Sequence, residues 1–130
     1  MNEFFFKAIR EGSINEVRSM LDKNPVLVNS KDTRGSTPLI LATYYDEMEI
    51  AKLLLEKGAK IDAVDASGNT ALMGVCFKGF TDIAKLLIEK KAELNGRNAM
   101  GATCLIYAAQ FNRLEIAKLL IANGADKTIK

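Results

Sequence analysis

Histidine is absent from this sequence, and its absence removes much chemistry at once. Without an imidazole there is no Ser-His or Cys-His dyad, and no histidine-containing metal site. Cysteine is nearly as scarce. Cys76 and Cys104 stand 28 residues apart without a CxxC pair, too few to build a zinc site alone. They are expected to be reduced, half-buried thiols that pack as small hydrophobes. No glycine-rich phosphate loop of either common spacing occurs. No apolar run approaches the roughly 20 residues of a membrane helix. The N-terminus MNEFFFKAIREG lacks the basic start, long apolar core and cleavage site of a secretory signal. A cytoplasmic, intracellular protein without a membrane role is expected.

An excess of one charge is missing too. Net charge is +2, and lysines alternate with acids along the chain. Phosphate-backbone binding uses a concentrated basic face, so no nucleic-acid partner is expected. With 48% apolar and 26% charged residues, the 130-residue chain suits one globular domain. No metal, cofactor or catalytic constellation can be assembled from what remains, and the chain is read as a non-enzyme.

What is present is repetition. EIAKLLLEKGA occupies 49–59, DIAKLLIEKKA 82–92 and EIAKLLIANGA 115–125, each beginning 33 residues after the last. Fixed spacing is what a stack of like units requires, because every unit meets the same neighbour geometry. Within each copy Ile50, Leu53 and Leu54 (or their equivalents) share a helix face. Gly58 and Gly124 stand where a helix ends in the left-handed conformation, and Lys91 takes that place in the middle copy.

The rest of each unit repeats as well. Asp32, Asp65 and Asn98 are followed at fixed offsets by Gly35, Gly68 and Gly101, then by Thr37, Thr70 and Thr103. Asp-x-x-Gly is turn chemistry, since the side chain bonds backbone two residues on and glycine accepts positive φ. The threonine sits where an N-cap belongs, and Pro38 follows it at the first helical position. Short helices are then expected at PLILATYY, ALMGVCFK and CLIYAAQF. The recurring Asp32 and Asp65 are thus read as turn formers, and Lys52, Lys85 and Lys118 as a solvated face.

Turn, helix, turn, helix at this period resembles the ankyrin repeat. The match rests on TPL at 37–39, on G-x-T in all three copies, and on I-A-K-L-L followed by G-A-[KD]. The family pattern reads TPLH, but Ile40, Met73 and Ile106 hold the histidine position, which is expected to remove a hydrogen bond between turn and helix. The resemblance implies an all-α solenoid of stacked helix-turn-helix units joined by β-turns. It forms one domain over 1–130, with full repeats at 32–64, 65–97 and 98–130. Residues 1–31 read as a degenerate copy in which Phe5 aligns with Leu39 and Gly12 with Asp46. One extra residue falls in the connection at 24–29. Ser19, Arg18, Asp22 and Lys23 make its second helix half-polar, as an exposed N-terminal cap requires. In the FFF run at 4–6, Phe5 and one neighbour are expected to cover the end of the core.

The resemblance further implies protein–protein recognition, through a concave face made of the turn tips and the exposed side of each first helix. Carried over position by position, the tips are Thr33, Arg34, Ser36; Ala66, Ser67, Asn69; and Ala99, Met100, Ala102. The helix positions are Tyr44, Tyr45; Phe77, Lys78; and Gln110, Phe111. From these, Arg34, Ser36, Tyr44, Tyr45, Asn69, Phe77, Lys78, Met100, Gln110 and Phe111 form the expected partner-binding set. Four aromatics at positions that do not pack the repeat are expected to make one continuous stripe; the alternative has the rings folded over the adjacent unit. A short inhibitor that occludes an enzyme, or a fragment of a longer ankyrin protein, are the other functional readings. The last copy keeps an apolar outer face, expected around Leu119, Ile116 and Tyr107. It should fray, self-associate or continue into a further repeat.

Overall fold

The computed structural model describes residues 2–127. Helices α1 (Asn2–Arg10) and α2 (Ile14–Lys23) form the first pair, and α3 (Pro38–Tyr44) and α4 (Met48–Glu56) the second. Helices α5 (Ala71–Lys78) and α6 (Thr81–Glu89) form the third, and α7 (Cys104–Gln110) and α8 (Leu114–Ala122) the last. The first helices of the pairs pack side by side in chain order. Among the described residues there is no strand, and no helix is long and apolar enough to cross a membrane. The all-α solenoid is the observed architecture.

Local chemistry explains the repeat. Asp32 Oδ1 accepts from the amides of Arg34 and Ser36, both at 2.9 Å. Asp65 does the same for Ser67 and Asn69, and Asn98 for Met100 and Ala102. Asn replaces Asp without loss because the turn needs one acceptor oxygen, not a charge. Gly68 is required twice over: its φ is +79°, and a Cβ there would meet Ala99 N of the next turn at 3.0 Å. The helices then start on hydroxyl caps. Thr37, Thr70 and Thr103 accept from the amides of Ile40, Met73 and Ile106 at 3.1–3.2 Å. In the middle unit Met73 Sδ also accepts from the Thr70 amide at 3.5 Å. A weak sulfur acceptor thus supplies part of what the missing histidine was expected to remove.

A second series of bonds joins unit to unit. Asn29 Oδ1 accepts from Lys60 N, Asp62 Oδ1 from Glu93 N, and Asn95 Oδ1 from Asp126 N, at 2.8–2.9 Å. Positions 29, 62 and 95 keep the 33-residue period, so register begins three residues before Asp32. The extra residue at 24–29 is absorbed by a 3-10 helix, Pro25–Asn29. The other units end instead on left-handed Gly58, Lys91 and Gly124. Left-handed residues also separate the two helices of every pair, at Gly12, Asp46, Gly79 and Asn112.

The core runs the length of the stack, with Leu54 and Leu87 fully buried. At the N-terminal end Phe5 and Phe6 are buried and meet edge to face, while Phe4 is exposed. Arg18, Ser19, Asp22 and Lys23 all face solvent, as a cap requires. The C-terminal end differs from expectation. Ile116 is only 1% exposed, so it is covered by its own unit and the one before it. Tyr107 belongs to another surface, described below. The outward apolar positions are Leu114 and Ile121, with Leu119 half-buried where Leu53 and Leu86 are buried.

Leu87→Ala is expected to cost about 2–5 kcal/mol as a cavity in the middle of the stack, measured by chemical denaturation. A cost below about 1 kcal/mol contradicts the central position of this side chain. Lys91 has φ +71°. Lys91→Gly should therefore raise stability by up to about 1 kcal/mol, since glycine adopts that conformation without Cβ strain. An unchanged or lower melting temperature overturns that account.

Candidate functional site

The turn tips and the first helices enclose a concave hollow of about 1050 Å³. It gathers six of the ten expected residues: Arg34, Ser36, Tyr44, Tyr45, Asn69 and Phe77. Lys78, Met100, Gln110 and Phe111 lie outside its lining. Met100 is 89% exposed at the last tip, and Gln110 is exposed at the end of α7.

The aromatic residues do not form one stripe. Tyr44 and Tyr45 make one group, with ring centroids 6.0 Å apart. Phe77, Tyr107 and Phe111 make another. The Phe77 and Phe111 rings meet edge to face at 4.7 Å, and Tyr107 lies 6.4 Å from Phe77 and 6.2 Å from Phe111. The break has a simple cause. Leu41, Gly74 and Tyr107 hold the same position in successive units, and the middle unit offers no side chain there. A Cβ on Gly74 would meet only Tyr44 Cδ1, at 3.6 Å.

The single continuous stripe is thus not formed, and two of the rings lean on the adjacent unit. Tyr44 rests on the next unit, beside Gly74 and with Lys78 Nζ 4.8 Å from its ring centroid. Phe77 likewise rests on Tyr107 and Phe111. Edge-to-face contact of this kind contributes about 0.5–1.5 kcal/mol beyond area. Yet Tyr44, Phe77 and Phe111 each stay 37–38% exposed, and Tyr45 44%. They are anchored at one edge and open at the other.

Tyr107 escaped the sequence reading, which assigned it to the outer end of the stack. Its hydroxyl accepts from Asn98 Nδ2 at 2.9 Å, and the same amide group donates to Asn69 Oδ1 at 2.8 Å. The signal was available. Position 107 lies three residues before Gln110, hence on the same helix face as the Tyr44, Phe77, Gln110 row. Asn69, expected at a free tip, has its carbonyl oxygen engaged by this network.

Further bonds stiffen the surface. Lys31 Nζ donates to Val64 O across neighbouring turns at 3.2 Å. Arg113 Nε and Nη2 donate to Phe77 O at 3.3 and 3.0 Å, satisfying a carbonyl at the C-terminal end of α5.

Reactive groups lie elsewhere. Cys76 and Cys104 are both fully buried, not half-buried, on successive first helices. Hydrogen bonding to Cys104, together with burial, pushes the Cys76 thiol far above its ordinary range. A thiol held protonated is a poor nucleophile. Among the described residues no group of three His, Cys, Asp or Glu side chains is placed to hold a metal ion.

The chain matches a family pattern described as ankyrin repeats (3 copies), over residues 2–65 and 60–130. It is similar to the human DNA-binding protein RFXANK, 43% identical over 49 residues, covering 38% of this chain and 19% of that protein. It is also similar to ankyrin repeat domain-containing protein 49 of Drosophila melanogaster, 45% identical over 49 residues, or 38% and 23% of the two chains. A putative ankyrin repeat protein of Rickettsia bellii is 35% identical over 60 residues, 44% of this chain and 9% of that one. The matches therefore span less than a quarter of these relatives. Because the repeat pattern covers nearly the whole sequence and its helix pairs stack in register, the chain belongs to the ankyrin-repeat family.

Proposed function

We propose that this protein is a non-catalytic, cytoplasmic recognition module that binds a partner protein in the hollow of its concave face. Ankyrin repeats are in general protein–protein interaction modules. The observation that carries the reading is the half-exposed aromatic set. Tyr44, Tyr45, Phe77 and Phe111 keep more than a third of their surface open, although the repeat does not need them for its core. Aromatic side chains supply large contact area at low entropic cost, which is why they dominate interface energetics. Arg34 and Lys78 flank them and set orientation and on-rate. DNA binding is a property of the human relative, matched over 19% of its length. This chain's near-neutral charge supports a protein partner instead.

Tyr45→Ala combined with Phe77→Ala is expected to abolish capture of the partner from native cells, read by mass spectrometry. Truncating a central anchor typically costs about 2 kcal/mol of binding or more. Circular dichroism should be unchanged. Stability should fall by about 0.5–1.5 kcal/mol for each ring pair lost, which are Tyr45 with Tyr44 and Phe77 with Phe111 and Tyr107, with folding still cooperative. A collapse in melting temperature makes the rings core residues. Normal melting with undiminished capture moves the binding face elsewhere, with the lysine-lined second helices next in line.

A further inference from the structure

Three departures from the repeat meet at one point of the hollow. The last turn is built on Asn98 where the earlier turns use Asp32 and Asp65. Asn69 stands where the other units have Ser36 and Ala102, and Tyr107 where they have Leu41 and Gly74. Asn98 is 8% exposed. Its Oδ1 takes the amides of Met100 and Ala102, so its Nδ2 faces away from the turn. The two N–H groups there reach Asn69 Oδ1 at 2.8 Å and the Tyr107 hydroxyl oxygen at 2.9 Å. An aspartate closes such a turn equally well but has no proton to give.

The direction of these bonds decides what the hollow offers. Asn69 turns its oxygen to Asn98, which leaves its own Nδ2 as a donor. Tyr107 accepts through its oxygen, which leaves its O–H proton to give. Among the described residues neither donor has an acceptor within the chain. Both residues line the hollow, and one nitrogen holds both oxygens within 2.9 Å, so the two groups are fixed as neighbours. The Phe77 and Phe111 rings pack about Tyr107 and stay 37–38% exposed, which sets an apolar wall beside the donors.

We infer that Asn69 and Tyr107 together read a backbone carbonyl of the partner, presented by an extended or looped segment with an apolar side chain next to it. This rests on the concave reading above and adds to it the chemistry of what is bound. A neutral acceptor fits the place. Asn and Tyr carry no charge, three cations and three carboxylates line the hollow, and the Asp65 carboxylate accepts the Asn69 backbone amide at 3.0 Å. A helix interior is a poor source of the carbonyl, because its own amides already occupy it. The apolar neighbour buries surface against Phe77 and Phe111.

The test uses synthetic peptides selected on the full chain from a phage-displayed library of random dodecapeptides. Those that lose binding to the Tyr45→Ala, Phe77→Ala double variant are titrated further. Tyr107→Phe removes one hydrogen bond and keeps the ring, and should weaken them about three- to tenfold. Asn98→Asp is the sharper variant. It keeps the turn acceptor, as in the two preceding units, but draws the Asn69 amide and the Tyr107 proton inward to its carboxylate. Binding should fall about tenfold or more with melting nearly unchanged. The loss should persist at about 1 M salt, where the Debye length is about 3 Å and the added charge is screened. In the peptides, one amide replaced by a thioamide, a poorer acceptor, should reproduce the loss and be non-additive with Tyr107→Phe. If Tyr107→Phe disturbs the fold, Asn98→Asp and the thioamide decide the matter. Peptides that ignore Tyr107→Phe and Asn98→Asp overturn the inference and leave the concave reading intact. So do peptides whose response to Tyr107→Phe depends on an Asp or Glu side chain and on no backbone amide. No enrichment at all overturns the inference alone, because capture of the native partner tests the concave reading separately.

Discussion

The long connections between the helix pairs hang on side-chain oxygens that accept backbone N–H groups at a 33-residue period. A solenoid of short helices leaves much of its backbone in turns and connections, and buried amides without partners are costly. Here one set of oxygens (Asp32, Asp65, Asn98) closes each turn upon itself. A second set (Asn29, Asp62, Asn95) reaches from one connection to the next. The first makes a unit; the second spaces the units. Helix packing can then be generic, because register is already held by hydrogen bonds that a one-residue slip would break together.

This division explains why most of the fold was legible in the sequence. The turn aspartates, threonine caps and apolar helix faces act over three or four residues, and each announces itself locally. The left-handed positions were legible where glycine marks them, and at Lys91 through its alignment with Gly58 and Gly124. Asp46 and Asn112 adopt positive φ without the glycine signature, using short polar side chains that tolerate it. The inter-unit oxygens were overlooked for a different reason. Their partners lie 31 residues away, and no local rule links Asn29 to Lys60. Ile116 was misplaced because its repeat pattern alone does not say which side of a helix meets which neighbour.

The candidate site was legible in outline and not in detail. Departures from the repeat pointed to the right surface, since Tyr44, Tyr45 and Phe77 do line one hollow. What sequence could not convey was the effect of a residue with no side chain. Gly74 stands inside an expected helix, ALMGVCFK, with nothing local to single it out. Only the assembled stack shows the aromatic residues parted into two groups at that position. Tyr107 was missed because an end unit invites interpretation through its outer face, whereas Asn98 holds its hydroxyl inward.

The guanidinium of Arg113 on the carbonyl of Phe77 implies a polarity of support along the chain. Tyr44 leans on the third helix pair, Phe77 on the fourth, and Asn69 is gripped by Asn98. In each case the residue that faces the hollow is braced by the unit that follows it. The fourth pair is therefore a buttress more than a contributor of contact surface. Shortening the protein from that end would leave Phe77 in place chemically while taking away the scaffold that aims it.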